Sequence, residues 1–259
     1  MQALIVTARE QGALLRRVAL RTAIGALGSR GGGQRRSGEV LRQMHQVGNR
    51  SLLFVCVTLG FIGMVLVFQT CLQVNRITGD LSQVGAEFVK ILVHEFGPSL
   101  TAMMLATRVG AGIAAEIGSM MVTEQVDALR MSGVEPIEYL LVPRFIASMV
   151  MTAALTVIGV CVAVVMGTLT ARYSFHVNPH VFLDLGRVRL GDLATGGMKV
   201  LAYGAAIPIV SGWAGFTAHG GSEGVGAATT RAVIASSFAV IALDFVLSGV
   251  GLFVFQGGK

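Results

Sequence analysis

"RSLLFVCVTLGFIGMVLVFQTCLQV" (residues 50–74) carries no charge after its first arginine. Wound into a helix at about 1.5 Å per residue, it is long enough to cross the roughly 30 Å hydrocarbon core of a bilayer. The rest of the chain repeats its composition. Across 259 residues, 53% are hydrophobic and 13% charged, and the mean hydropathy is +0.72, whereas soluble domains hold about 25% charged residues. Four further apolar runs, at about 97–117, 145–170, 194–217 and 232–255, are each long enough to span. The expected fold class is an all-α membrane protein with five transmembrane helices.

Nine of the twenty Lys and Arg residues lie before the first span ends its opening residue: Arg9, Arg16, Arg17, Arg21, Arg30, Arg35, Arg36, Arg42 and Arg50. Under the positive-inside rule this keeps the N-terminus in the cytoplasm, and five crossings then place the C-terminus outside. Residues 118–144 and 218–231 fall inside on this count, and residues 75–96 and 171–193 outside. The domain reading is a basic interfacial region over 1–49 and a transmembrane domain over 50–259. Within the first, residues 3–24 suit a helix lying on the membrane, with Leu4, Ala8, Leu15, Val18 and Ala19 on one side and arginines reaching headgroups. Arginines interrupt its short apolar stretch, which argues against a cleaved signal peptide. The glycines of "GSRGGGQRRSG" (28–38) are read as its end.

Several function classes find no support in the motifs. There is no GxxxxGK[ST] loop to wrap nucleotide phosphates; "GGSEGVGAATTR" (220–231) lacks the lysine and reads as a turn between spans four and five. "HEFGP" (94–98) has no second histidine at the zinc-helix spacing, and His176 and His180 straddle Pro179, so no metal site is expected. Cys56, Cys71 and Cys161 lie in apolar spans without CxxC spacing and read as packing residues. The arginines come without aromatic interleaving, so nucleic acid is not an expected partner. Any energy source or catalyst belongs to another chain.

One polar stretch interrupts the apolar text. In "VTEQVDALRMSGVEP" (122–136), Val122, Val126 and Leu129 share one helical stripe, while Thr123, Glu124, Asp127 and Arg130 face away. Early carboxylates, a late arginine, Gly133 and Pro136 together delimit a helix of about three turns. It links spans two and three on the cytoplasmic side, placed to touch a cytosolic partner. Charges inside the spans, Arg108, Glu116, Lys199, Arg231 and Asp244, are functional candidates because mid-bilayer charge is costly; helix-locking pairs, Lys199 with Asp244 among them, are the structural alternative. Gly110, Ala111, Ala114 and Ala115 form a small-residue face for close helix packing. Pro208 reads as the one proline inside a span, explained by a kink.

The block "HEFGPSLTAMMLATRVGAGIAAEIGSMMVTEQVDALRMSGVEPIEYLLVPR" (94–144), with "GFIGMVLVFQ" (60–69) and "GVGAATTRAVIASSFAVIALDFVLS" (224–248), resembles the MlaE/YrbE permeases. These are membrane subunits of ABC systems that carry phospholipids between the envelope membranes of double-membraned bacteria. The resemblance implies a homodimer in the bacterial inner membrane. It also implies two cytoplasmic ABC ATPase subunits, a periplasmic ring of MCE-domain proteins and, in some systems, a small STAS-domain protein. No cofactor is expected on this chain; ATP and magnesium would sit on the ATPase. Thr123, Glu124, Gln125, Asp127, Ala128, Leu129 and Arg130 would form the coupling helix that seats in the ATPase. Leu66, Phe68, Gln69 and Leu72 would contact acyl chains, with His94 and Glu95 near the headgroup; the family commonly has arginine where this chain has His94. A secondary carrier would instead show inverted repeats, which are not visible. An intramembrane lipid-modifying enzyme would use His94 and Glu95 as its acid/base pair.

Overall fold

The computed structural model describes residues 2–27, 33–77, 81, 83–182, 190–251 and 253, and side chains within 12–24, 38–77, 81, 83–182, 191–251 and 253. The described residues contain helices and no strand. In chain order the helices are α1 (Gln2–Leu27), α2 (Gly33–Ile77), α3 (Val84–Ile91), α4 (Gly97–Leu105), α5 (Ala111–Val122), α6 (Gln125–Met131), α7 (Pro136–Phe175), α8 (Pro179–Phe182), α9 (Leu190–Phe216) and α10 (Gly221–Gly251). Two π-helical turns, Leu92–Phe96 and Ala106–Gly110, join α3 to α4 and α4 to α5. Five helical stretches are long and apolar enough to cross a membrane: Gly38–Ile77, Val84–Val122, Pro136–Phe175, Gly191–Phe216 and Gly221–Gly251.

Each crossing runs longer than its apolar run, and three expectations change. Residues 84–96 are not loop but the outer part of the second crossing. Pro98 is accommodated there because the chain widens ahead of it: Gly97 N–H bonds back to Leu92 C=O, five residues away, in a proline-adjacent turn that would otherwise crowd the carbonyl four residues before it. Residues 221–231 are not a turn but the first turns of α10. The reversal is confined to 217–221, where Gly220 and Gly221 take φ of +90° and +75°. An interior glycine costs a helix only about 1 kcal/mol, which packing of Val225 against Gly118 helps offset. Pro208 is not alone: Pro143 lies inside α7, two turns from its start.

The spans pack through small residues. Gly159, Ala163 and Gly167 make one stripe on α7 that meets Val55, Leu59, Gly63 and Val67 of α2, the two helices running parallel. At the closest approach, a Cβ on Gly63 would lie 2.5 Å from the Ala163 carbonyl oxygen. Gly63→Leu is therefore expected to push the helices apart, lowering stability by about 1–3 kcal/mol, measurable as a lower melting temperature of the detergent-purified chain. A second stripe, Gly110, Ala114 and Gly118, faces α9 and α10, where Ala114 is buried with Ala214 and Ala232.

At one end of the bundle, α1, α5, α6, the start of α7 and the end of α9 share a core of Val18, Ile113, Ile117, Val126, Leu140, Leu141 and Phe216. On α1 the expected Val18 is fully buried, joined by Leu14 and Thr22, while the expected Leu15 and Ala19 are half-buried beside it; Leu4, Ala8 and Arg9 have side chains outside the described set. α1 thus packs on the bundle, and Arg21 lies 3.5 Å from Glu138 of α7. The glycine-rich break falls partly outside the described residues, and its part from Gly33 belongs to α2, which also runs unbroken through the 49/50 boundary. At the opposite end, α3 and α8 cap α2 and α7 through Phe88, Phe182, Val84 and Cys71.

Candidate functional site: a charge cluster between three spans

Six polar side chains meet inside the bundle, two from each of three crossings. Glu95 and Ser99 come from the second, Lys199 and Tyr203 from α9, and Asp244 and Ser248 from α10. Each pair is spaced i, i+4, so each helix presents one polar face one turn long. Lys199, fully buried, bonds Glu95 Oε2 and lies 3.0 Å from Asp244 Oδ1. Tyr203, also fully buried, donates its hydroxyl to Asp244 Oδ1 at 2.5 Å, and Ser99 donates to the same oxygen at 3.0 Å. Ser248 donates to Glu95 Oε1 at 2.9 Å, and His94 Nδ1 lies 3.7 Å from that oxygen.

This arrangement follows from the cost of charge in an apolar interior. A lone ammonium there would be prohibitive; held between two carboxylates whose oxygens take further donors, it persists. Lys199 is sealed, whereas Glu95 and Asp244 keep 37% and 31% of their side-chain surface open. Among these three side chains, one cation against two carboxylates leaves a surplus negative charge. The open carboxylate edges are therefore suited to a ligand that brings positive charge or hydrogen-bond donors.

The structure joins Lys199 and Asp244, two of the intramembrane candidates, to Glu95. The expected acyl-chain set lies along α2. Leu66 packs against the α2–α7 core, Phe68 meets Phe175 in a tilted ring contact with centroids 5.6 Å apart, and Gln69 and Leu72 are exposed on α2. The remaining candidate charges lie toward the α6 end. Glu116 binds Arg144 at 2.7 Å, Arg231 reaches Thr217 Oγ1 at 3.4 Å, and Arg108 is exposed. Sequence reasoning missed Ser99, Tyr203, Ser248 and Arg144. The first three were visible as a polar residue one turn after each charged one; Arg144 was hidden because it follows Pro143 at a span's edge.

The polar stretch forms α6, shorter than expected: seven residues, with Thr123 and Glu124 in the preceding turn and Glu124 at φ +59°. Pro136 does not stop α6 but opens α7. The end is a Schellman closure: Gly133, at φ +77°, donates to Arg130 C=O at 3.0 Å, and Val134 to Leu129 C=O at 3.1 Å. Val126 is buried and Leu129 half-buried in the core described above, while Thr123, Glu124, Gln125, Asp127, Ala128 and Arg130 face outward. Asp127 and Arg130 pair at 2.9 Å on that outer face.

Comparison with known proteins places this architecture. Residues 40–250 match the family Permease MlaE. A probable ABC transporter permease protein of Synechocystis is 38% identical over 84% of this chain and 82% of its own length. The chloroplastic protein TRIGALACTOSYLDIACYLGLYCEROL 1 of Arabidopsis thaliana is 33% identical over 84% of this chain and 61% of its own. The intermembrane phospholipid transport system permease protein MlaE of Haemophilus influenzae is 30% identical over 82% of both chains. The five-span, multi-pass membrane chain with its buried three-helix charge cluster belongs to the MlaE permease family.

Proposed function

We propose that the chain is the membrane-spanning permease subunit of an ABC transporter that moves phospholipids between inner and outer membranes, without a catalytic site of its own. The observation that carries the reading is the cluster of Glu95, Lys199 and Asp244: a polar, partly open site held within an otherwise apolar bundle. Its open carboxylate edges and His94 would meet a lipid headgroup, and the exposed apolar face of α2, with Phe68 and Leu72, would take acyl chains. Relatives named as ABC transporter permeases and as a phospholipid transport permease support this assignment.

The same reading orients the chain. Arginines concentrate at the α6 end, among them Arg21, Arg42, Arg50, Arg130 and Arg144, so that end is cytoplasmic, with the N-terminus, in the bacterial inner membrane. α10 runs away from it, which carries the C-terminus to the periplasmic side. α6 then faces the cytosol with a polar outer surface on a buried apolar footing, the form of a helix that transmits force from a cytoplasmic ABC ATPase holding ATP and magnesium. Large apolar side chains left exposed on α2 and α10, Phe61 and Phe245 among them, suit lipid or a second copy in a homodimer. A periplasmic MCE-domain protein completes the proposed assembly, joined in some systems of this kind by a small STAS-domain protein.

The test is native mass spectrometry of the tagged chain, purified gently from its own host. Two copies carrying two ATPase chains, MCE-domain protein and bound phospholipid are expected. A chain free of any ATPase, in a detergent shown to preserve a known ABC complex, overturns the reading.

A further inference from the structure

Away from the three-helix cluster, a cleft of about 180 Å³ opens at the α6 end between α2 and the second crossing. Arg50, from α2, and Arg108, from the second crossing, both line it, with Gln43, Gln46 and Ser51 from α2 and Glu116 from α5. Both arginines are exposed, and neither has an ion-pair or hydrogen-bond partner among the described residues. Glu116 does not neutralise them. Its carboxylate is held by Arg144 at 2.7 Å and by Gln46 at 3.4 Å, so three guanidiniums stand against one carboxylate.

Ser51 adds an independent sign of a missing ligand. It is 1% exposed, lines the cleft, and its Oγ has no hydrogen-bond partner. A helical hydroxyl usually bonds back to the carbonyl four residues earlier, as Thr156 does to Thr152 at 2.8 Å. Ser51 forgoes that bond although burial makes an unmet hydroxyl costly. The other walls, Val47, Val109 and Ile113, are apolar. A pair of unpaired arginines, a free hydroxyl and apolar walls at a membrane boundary fit a phosphate with a chain attached.

We propose that this cleft binds the phosphate group of a phospholipid from the leaflet at the α6 end, clamped by Arg50 and Arg108 and bonded by Ser51. Arg108 lies nine residues past Ser99, about 13 Å along the helix, so the site is separate from the Lys199 cluster. It stands whether or not the chain is a permease; only the naming of that leaflet as cytoplasmic rests on the orientation proposed above.

The experiment titrates the delipidated full chain with phosphatidylglycerol and reads bound lipid by native mass spectrometry, with diacylglycerol as the phosphate-free control. Arg50→Gln with Arg108→Gln is expected to weaken one bound phosphatidylglycerol by about tenfold per arginine, ~1.4 kcal/mol each. Diacylglycerol binding should not change. Gly112, also on the cleft wall, has open space where a Cβ would go, so Gly112→Leu fills the cleft without touching either arginine and should lose the same lipid. Displacement of that lipid by excess inorganic phosphate would assign the cleft to a free phosphate and overturn the lipid source. Unchanged phosphatidylglycerol affinity in the arginine double variant or, should that variant aggregate, in Gly112→Leu overturns the proposal.

Discussion

Lys199→Met is expected to stop lipid transport by the reconstituted transporter and to lower the stability of the chain by about 3–5 kcal/mol, the range for removing one partner of a buried ion pair. The loss is large because of what stays behind. Glu95 and Asp244 face each other through the vacated position, with Tyr203, Ser99 and Ser248 as their remaining donors. Structural and transport roles separate in a second variant. Lys199→Met combined with Glu95→Gln and Asp244→Asn removes the uncompensated charge, which is what makes breaking a buried ion pair costly. That triple variant should regain most of the melting temperature and remain inactive in transport. Recovery of transport along with stability would reduce the cluster to a structural lock. A double-mutant cycle with Lys199→Ala and Asp244→Ala should depart from additivity by about 0.5–3 kcal/mol; additive losses would contradict their 3.0 Å contact.

The cluster also shows how far the sequence could be read. The five crossings were legible because a span is a property of composition over twenty residues, which side chains declare directly. Lys199 and Asp244 were legible as expensive charges. Their pairing with Glu95 was not derivable, since 104 residues separate Glu95 from Lys199 and only packing decides which faces meet. The π-helical turn at Leu92–Phe96 was invisible for a related reason: it is an adjustment of backbone register ahead of Pro98, and no side-chain period encodes it. Glycines misled at 220–231 because their turn-forming freedom was used only at Gly220 and Gly221, while Gly224 and Gly226 serve within a helix. On α1 the expected Val18 sits at the centre of the inward face, but Leu14 and Thr22 flank it as well as Leu15 and Ala19, because an amphipathic helix of mixed Leu, Val and Ala has two adjacent apolar edges. Contact with α7 and α9 selects between them.

Asp127→Arg is expected to abolish transport and uncouple ATP hydrolysis while leaving the fold and the proposed homodimer intact. Asp127 is well exposed, and its link to Arg130 is a surface pair of the kind worth about 0–1 kcal/mol. α6 is held to the bundle by other means: Val126 and Leu129 in the core shared with α1, α5 and α7, and the Schellman closure at Gly133. Reversing the charge therefore changes what a partner meets and little of what the chain itself needs. Beside Arg130 it creates two adjacent cations where an acidic and a basic group had paired, and a basic groove on an ATPase would reject that surface. Asp127→Asn is the graded control: it removes the charge without reversing it, and should retain partial ATPase binding in co-purification. Val126→Asp acts from the opposite face, burying a carboxylate beneath the helix, and should release α6 and lower the melting temperature, which Asp127→Arg should not. Full lipid transport by Asp127→Arg would mean that α6 is a mere link between two spans, and the ATPase contact would then have to be sought elsewhere on the α6 end.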